Sequence, residues 1–332
     1  MPEDSGGLVD AGSSRAIAPV APRARTWIGL VANPGAGRGQ GRLRVHRLIQ
    51  ALRRHGVRVR IAWTPHERTS LVAESSQDPH CGCLVAVGGD GTVAGLINEQ
   101  PHVPITVLPT GTENLFARYF RINSDPETIA RTILHGRAVR TDLGQLGGRR
   151  FSLMAGFGFD AAVVSRHHLL RVAVSGLPRP TNRAAYVEPV LHSSFTYRFP
   201  LISVTIEDPD GPEPEILVGT TIFIFNLPSY ALNLPFVPGA RADDGLLDLI
   251  VFRKPGPFQA LHYLWLVVRG LHLRCPDVIH RRVKRVSITS EESVPVQLDG
   301  DPDGRISPGA SNARTAEVLP GAIEVLVPPG FR

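Results

Sequence analysis

The sequence predicts two domains, an N-terminal α/β domain with a mostly parallel sheet and a C-terminal antiparallel β-sandwich. Between residues 26 and about 140, short β-branched runs alternate with segments whose apolar residues recur at helical spacing. From residue 201 onward, strand-like runs follow one another closely, with the apolar alternation of half-buried antiparallel strands. A length of 332 residues is sufficient for two hydrophobic cores.

The N-terminal elements follow in a regular order, in which each apolar strand run precedes a helical pattern. The predicted strands cover residues 26–32, 57–63, 84–87 and 105–108. Two predicted helices cover residues 42–55 and 67–76. A third begins at Thr92, and a fourth runs through Asn114, Phe116 and Ala117. Because this alternation is typical of a Rossmann-like sheet covered on both faces, we expect ligands at the C-terminal ends of its strands.

The pattern changes near residue 140, where two strand-like runs meet at the pair Gly147-Gly148 and predict a hairpin. Helical patterns then cover 161–170 and 184–192, and the remaining predicted strands are 201–206, 216–225, 246–252, 286–288, 294–298 and 323–327. The expected division is a disordered tail over 1–25, a nucleotide-binding domain over 26–140 and a substrate-binding sandwich over 141–332. The last strand is a candidate for returning to the first sheet.

Composition excludes several classes of protein. The net charge of +6 comes almost entirely from arginine, since Lys254 and Lys284 are the only lysines. Walker-type loops and protein kinases need a lysine in the first half of the chain, and none occurs there. Three cysteines fit a reducing compartment. With no signal-like or membrane-spanning run, we expect a cytoplasmic protein.

One glycine-rich loop stands out after the apolar run at 84–87. Gly88, Gly89 and Gly91 leave a loop with exposed backbone N–H groups, and the helix that follows at Thr92 favours an anion at its N-terminus. Phosphate is the expected guest. Because a carboxylate beside phosphates is repulsive unless it meets a cation or a donor, Asp90 is interpreted as an acid that contacts a metal or orients a nucleotide.

Two further loops carry small residues at equivalent strand ends. One is Asn33-Pro34-Gly35-Ala36-Gly37, and the other contains Gly111-Thr112. Any single loop of this kind is equally well explained as a tight turn. All three at the ends of neighbouring parallel strands favour one phosphate site.

The loops together resemble those of the diacylglycerol kinase, sphingosine kinase and NAD kinase superfamily. The match consists of Gly-Gly-Asp-Gly-Thr at 88–92, the Asn-Pro start at Asn33, and Gly-Thr-x-Asn ending at Asn114. The resemblance implies ATP as co-substrate. It nominates these nucleotide-binding residues: Asn33, Pro34, Gly35, Gly37, Thr64, Gly88, Gly89, Asp90, Gly91, Thr92, Gly111, Thr112 and Asn114.

A first acidic turn covers residues 242–248 and reads Ala-Asp-Asp-Gly-Leu-Leu-Asp. An Asp-Gly pair is an ordinary hairpin signal, and that explanation stays open. Carboxylates beside exposed carbonyls also suit Mg²⁺. In the family that this turn resembles, one aspartate and neighbouring carbonyls hold a metal, which nominates Asp244 with the carbonyls of Leu246 and Arg241.

A second acidic turn, Gln-Leu-Asp-Gly-Asp at 297–301, has the same structural alternative of a polar hairpin turn. The lipid kinases that it resembles carry Asp-Gly-Glu here, and the acids take the proton from the lipid hydroxyl. Carried over, Asp299 and Asp301 are the candidate bases. Asp301 is one methylene shorter than the glutamate of the family, so more of the proton transfer is expected from Asp299.

The predicted function is ATP-dependent transfer of the γ-phosphoryl group to a lipid hydroxyl of the diacylglycerol kind. Two alternatives stay open: an NAD kinase, which shares the glycine motif and an Asn98-Glu99 pair, and an inactive regulator, for which Glu113 and Asp301 are the unusual residues. No motif supports nucleic acid binding. Basic and apolar residues between Arg166 and Arg183 predict peripheral membrane contact, and the oligomeric state is open.

Overall fold

The computed structural model describes residues 26–33, 40–173, 183–207, 214–231 and 233–331. The proposed tail over 1–25 lies outside the described residues. The helices are α1 Gln40–Arg54, α2 Pro65–Gln77, α3 Asp90–Asn98, α4 Leu115–Tyr119, α5 Pro126–His135, α6 Phe159–Ala173, α7 Val187–Thr196 and α8 Pro257–Val268. None of the described helices is long and apolar enough to cross a membrane.

The strands form two main sheets and one short ribbon. They are β1 Trp27–Ala32, β2 Arg58–Ala62, β3 Cys81–Gly88, β4 Ile105–Pro109, β5 Arg137–Leu146, β6 Arg149–Phe151, β7 Met154–Gly158, β8 Ile202–Ile206, β9 Glu215–Gly219, β10 Thr221–Phe225, β11 Ser229–Tyr230, β12 Leu234–Pro235, β13 Leu247–Phe252, β14 Val278–Val283, β15 Arg285–Thr289, β16 Val294–Leu298, β17 Asp301–Ile306 and β18 Arg314–Val327.

The larger sheet has ten strands and contains the predicted parallel region. Its order is β2-β1-β3-β4-β18-β15-β8-β9, with β5 and β6 attached through β18. Strands β1 to β4 pair in parallel. All residues of β1, β3 and β4 are buried. Such strands need cover on both faces, and the predicted parallel α/β fold is confirmed.

The second sheet has the order β14-β13-β10-β7-β16-β17 and is antiparallel throughout. A core that includes Phe157, Ile224 and Val296 on this sheet and Phe151 and Val286 on the large sheet fills the space between them. This packing of two sheets is the expected β-sandwich. The fold class predicted for the C-terminal half is confirmed.

The strand β18 joins the two halves of the large sheet. It runs over 14 residues, pairs antiparallel with β5 and β15, and pairs in parallel with β4 at Val325 and Ile105. The sequence predicted a strand only at 323–327. The earlier part was missed because Pro320 and Gly321 interrupt the apolar pattern, at the point where the register with β5 shifts.

Candidate active site

The C-terminal ends of β3 and β4 bring two glycine loops together. A Cβ atom added at Gly88 would lie 1.9 Å from the Thr92 Oγ1, and one added at Gly111 would lie 2.6 Å from the Gly89 Cα. Only glycine avoids these overlaps, because a real Cβ does not approach other atoms so closely. The backbones of Gly88–Thr92 and Gly111–Asn114 therefore lie side by side, as expected from the sequence.

Asp90 connects these two loops. Its Oδ2 accepts a hydrogen bond from the Leu115 N–H at 3.1 Å, and its Oδ1 accepts one from the Phe116 N–H at 3.0 Å. Burial raises the pKa of the Asp90 carboxyl, while these two hydrogen bonds lower it. The carboxylate thus caps α4, and this differs from the expected contact with a metal. A role in positioning the nucleotide loops stays a prediction.

Asn114 closes the third predicted loop upon itself. The residue has φ +51° in the left-handed region, which asparagine tolerates better than most residues. Its Oδ1 accepts from the Gly111 N–H at 3.0 Å, and its Nδ2 donates to the Gly111 carbonyl at 2.9 Å. The side chain therefore holds Gly111 in place against Gly89, and its contact with a nucleotide stays a prediction.

Thr64 and Asn33 lie at the ends of β2 and β1. Thr64 is the N-cap of α2, where its hydroxyl accepts from the Glu67 N–H at 3.2 Å and the Glu67 carboxylate accepts from the Thr64 N–H at 3.1 Å. This capping box gives Thr64 a structural role that the resemblance did not predict. Asn33 is exposed and donates its N–H to the Val87 carbonyl. Pro34, Gly35 and Gly37 lie outside the described residues.

The Asp-Gly-Asp turn joins β16 to β17, and Asp299 is its buried member. Its carboxylate accepts four hydrogen bonds, from the Ser152 N–H and hydroxyl at 2.8 and 3.0 Å, the Leu153 N–H at 2.7 Å and the Met154 N–H at 3.0 Å. Burial raises the pKa of Asp299 to about 6 although these donors lower it. With every lone pair engaged, Asp299 anchors β7 to the turn, and this geometry argues against the larger base role expected of it.

Asp301 has the opposite environment. Residues Asp299 and Gly300 have φ +51° and +86°, which gives a two-residue hairpin of the type that Asp-Gly favours and leaves Asp301 exposed at the start of β17. The Asp301 Oδ2 lies 3.7 Å from the position of a Cβ added at Gly91. An exposed carboxylate of the sandwich thus faces the glycine loop of the parallel sheet.

Asp142 on β5 is a site residue that the sequence analysis missed. It is buried, and its two carboxylate oxygens accept from the Gly245 N–H and the Gly321 N–H, both at 2.7 Å. Its own N–H donates to the Ala242 carbonyl at 2.7 Å. Asp142 therefore fixes the first acidic turn against β18. The sequence signal that could have identified Asp142 is a carboxylate within a predicted strand, between Thr141 and Leu143, because a charged residue in a buried strand needs hydrogen-bond partners.

The first acidic turn holds its carboxylates with arginine. Asp244 forms an ion pair with Arg282 of β14 and accepts from the Leu246 N–H at 3.1 Å, while Asp243 pairs with Arg241 at 2.9 Å. No group of three or more His, Cys, Asp or Glu in the described parts of the chain could hold a metal ion. The Arg282 guanidinium competes with a cation for Asp244, and the metal set of Asp244 with the carbonyls of Leu246 and Arg241 stays a prediction.

A cavity of about 400 Å³ lies beside the Asp-Gly-Asp turn and is lined almost entirely by apolar side chains of α6, α7, α8 and β10. Asp160 is the one carboxylate among its described lining residues. Its Oδ2 accepts from the Gln297 Nε2 at 2.8 Å, and burial raises its pKa to about 6. Gln297 in turn accepts from the Gly300 N–H at 2.8 Å, so one buried amide joins the cavity to the turn.

Comparisons with known proteins find relatives of both halves of the chain. The sequence profile of the diacylglycerol kinase catalytic domain matches residues 28–146. The profile of the YegS C-terminal NAD kinase beta sandwich-like domain matches residues 154–327. A crystal structure of a diacylglycerol kinase from Bacillus anthracis covers 94% of this chain and 100% of its own, with a TM-score of 0.65 at 18% identity, and shows the same fold.

Curated relatives are similar across both domains. A diacylglycerol kinase from Staphylococcus carnosus is 30% identical over 230 residues, which cover 67% of this chain and 71% of that protein. One from Staphylococcus epidermidis is 27% identical over 244 residues, which cover 70% and 72%. With both domain profiles matched in order, the chain belongs to the diacylglycerol kinase family, with an NAD kinase-like C-terminal domain.

Proposed function

We propose that this protein is an ATP-dependent lipid kinase that transfers the γ-phosphoryl group of MgATP to the hydroxyl of a diacylglycerol-like lipid. The observation that carries the proposal is the position of Asp301. Its exposed carboxylate faces Gly91 of the phosphate-type loop, and its turn is joined through Gln297 to the apolar cavity. A nucleotide loop, a carboxylate and an apolar cavity thus meet in one place.

The glycine loops supply the nucleotide side of the proposed site. The helix α3 begins at Asp90, and its N-cap is Gly89, a residue with no side chain to cap the first N–H groups of the helix. Its first N–H groups and the positive end of its dipole favour phosphate. Phosphoryl transfer depends mainly on such positioning and on neutralisation of oxygens, so these backbone groups suit the reaction. Magnesium enters as part of the MgATP substrate.

Asp301 is the proposed general base. It accepts the proton of the lipid hydroxyl as that oxygen forms a bond to the γ-phosphorus. The bond from the γ-phosphorus to the oxygen that bridges the β-phosphate breaks, and ADP leaves with that oxygen. The base must come within about 3 Å of the hydroxyl oxygen, which an exposed side chain at a hairpin turn can reach. Asp299 positions the turn, as its four hydrogen bonds indicate.

The cavity favours a lipid as the acceptor. It fits NAD less well, which is the acceptor of the alternative predicted from the shared glycine motif. Its lining is almost wholly apolar, and Asp160, Tyr230 and Gln297 form a polar cluster on its side toward the turn. Such a cavity suits acyl chains, with the polar cluster facing the hydroxyl-bearing end. A dinucleotide would leave its phosphates and ribose against apolar side chains, which is costly.

The test is a radiolabel assay with purified protein, Mg²⁺ and γ-labelled ATP, with dioleoylglycerol, a sphingoid base or NAD as acceptor. We expect label in an organic-phase product with dioleoylglycerol. The Asp301→Asn variant should lose about 100-fold or more in kcat with ATP binding retained, because it removes the base. Glu291→Gln is the matched control, since it removes an exposed carboxylate from the loop at the opposite end of β16. Label in NADP alone, or transfer unaffected by Asp301→Asn, would contradict the proposal.

A further inference from the structure

Two neighbouring helices carry large apolar side chains on their outer surfaces. We call this surface the α7–α8 face and define it by six residues: Val187, Leu191, Phe195, Phe258, Trp265 and Val268. Phe258 is 79% exposed, Phe195 65% and Trp265 53%. On α7 the members recur every four residues, so they form one continuous stripe. A surface helix normally places polar residues at such outward positions.

The helix α8 is apolar on its inner side as well. Ala260, Tyr263, Leu266 and Val267 are buried against the sandwich. A helix that is apolar all round is expected inside a protein or at an interface. Packing against the sandwich explains the apolar residues on the inner side of α8. The apolar residues on its exposed side indicate contact with something outside this chain.

The α7–α8 face borders the apolar cavity. Val187, Leu191 and Leu264 are exposed, and the same three side chains line the cavity. These apolar side chains therefore connect the outer surface of the two helices with the cavity. An acyl chain could pass along this path without contacting water, which is favourable for every methylene that it carries.

Arginine predominates in the sequence around α8. No Asp or Glu lies between Asp248 and Asp277, and Lys254 pairs with Asp277 at 2.7 Å, so the basic residues of that interval that count here are Arg253, Arg269 and Arg274. The Arg269 guanidinium lies 5.9 Å from the centre of the Trp265 ring. On α7, Glu188 pairs with Arg166 of α6. Basic residues beside exposed tryptophan and phenylalanine are the pattern of surfaces that meet anionic lipid head groups.

We propose that the α7–α8 face docks on the surface of an anionic phospholipid bilayer and brings the apolar cavity next to it. The proposal rests on the proposed lipid kinase function, because the cavity would then receive its substrate directly from the bilayer. It places membrane contact on α7 and α8, whereas the sequence predicted it between Arg166 and Arg183. Residues 174–182 of that segment lie outside the described residues.

Binding is measured first without ATP, with phosphatidylcholine vesicles that contain or lack phosphatidylglycerol. We expect flotation with the anionic vesicles and a decrease in binding as salt concentration rises. Vesicles with brominated acyl chains should quench Trp265, which is half exposed. Of the other two tryptophans, Trp27 is fully buried and Trp63 is partly buried after β2, so the difference between the wild type and a Trp265 variant isolates Trp265. The Trp265→Phe variant should remove that quenching. Flotation without quenching of Trp265 would overturn the proposal.

The matched variants compare two apolar surfaces. Phe258→Asp combined with Val268→Asp should reduce vesicle binding by about tenfold or more, because it places two charges where apolar groups enter the bilayer. Ile216→Asp on β9 changes an apolar side chain that is 65% exposed, outside the α7–α8 face, and should leave binding unchanged. Equal binding of the double variant and the wild type would contradict the proposal.

The remaining outcomes separate docking from catalysis. The double variant should still phosphorylate a short-chain diacylglycerol dissolved as monomers, since its base and loops are unchanged. Docking through Trp265 with no phosphoryl transfer to any lipid would overturn the proposed function and leave the docking surface standing. The proposal would be overturned if the wild type is a dimer in light scattering, the double variant is a monomer and neither binds vesicles. The α7–α8 face would then be the interface with a second copy of the chain.

Discussion

The glycine loop after β3 and the hairpin turn between β16 and β17 both place aspartates among glycines, but they use them differently. Asp90 and Asp299 accept hydrogen bonds from backbone N–H groups of a second segment of the chain. Asp301 is exposed, and its carboxylate lies beside Gly91 of the glycine loop. An acid in such a turn is thus either an anchor or a reactive group, and the number of donors around it decides which.

The same contrast holds between the two acidic turns of the sandwich. Asp299 is held by neutral backbone and hydroxyl donors, whereas Asp244 is held by the charged side chain of Arg282. Loss of the hydrogen bonds to Asp299 lowers the stability of the fold, whereas loss of Arg282 leaves the charge of Asp244 without a partner. Each prediction below changes one member of these pairs and asks whether its role follows its surroundings.

The largest expected effect on stability is that of Asp299→Asn. Asparagine tolerates the left-handed backbone of this position, but its amide cannot accept all four hydrogen bonds. We expect a loss of about 3 kcal/mol in the free energy of unfolding. Urea denaturation of Asp299→Asn beside Asp301→Asn measures the contrast. Equal stability of the two variants would contradict the division into anchor and reactive group.

The pH dependence of stability tests Asp160, whose pKa of about 6 in the folded protein lies above its ordinary value of 3.8. The folded state therefore holds a proton that the unfolded chain releases, and this stabilisation is present at low pH and is lost as pH rises through about 6. Each unit of pKa difference corresponds to about 1.4 kcal/mol.

The variant Asp160→Asn removes that titration. We expect a shallower decline of stability between about pH 4 and pH 6, with some slope remaining because burial raises the pKa of Asp299 in the same direction. Thermal unfolding across this pH range makes the comparison. Identical slopes in the variant and the wild type would show that Asp160 does not carry the proton.

A smaller effect is expected for Arg282→Gln, which leaves Asp244 without its cation. The ion pair is partly exposed, so we expect a loss of about 1 kcal/mol or less. Mg²⁺ should stabilise this variant and leave the wild type unchanged in thermal unfolding without nucleotide. Arg281→Gln is the control, because Arg281 on the same strand pairs with Glu215. Stabilisation of the wild type by Mg²⁺ would support the metal site predicted at Asp244.

The smallest effect is expected for Asp301→Glu, which installs the residue that the lipid kinases carry. A proposed base on an exposed turn can move to meet its hydroxyl, so one added methylene should change kcat by about threefold or less. Steady-state kinetics with dioleoylglycerol measure it. A gain of about 100-fold would mean that Asp301 is too short to act as the base in this chain.

Much of the candidate site could be predicted because its signals are local. The run before Gly88 predicts a buried strand, and three glycines around one acid leave little except a backbone loop. The Asp-Gly pair at 299–300 predicts its two-residue hairpin in the same way. The roles of Asp142 and Asp160 could not be predicted, because their partners lie far away in the chain. Gln297 has one near partner, Gly300, but its bond to Asp160 spans 137 residues and no local pattern indicates it.

The sequence by itself determined the alternation of strands and helices, the glycine loops at the strand ends and the two acidic turns, since each depends on the backbone preferences of a few neighbouring residues. Only the tertiary structure decided that β18 joins both sheet regions, that Asp299 is buried and Asp301 is not, and that Arg282 reaches Asp244. Those outcomes depend on which distant segments exclude water from a carboxylate or offer it a donor, and such contacts exist only in the folded chain.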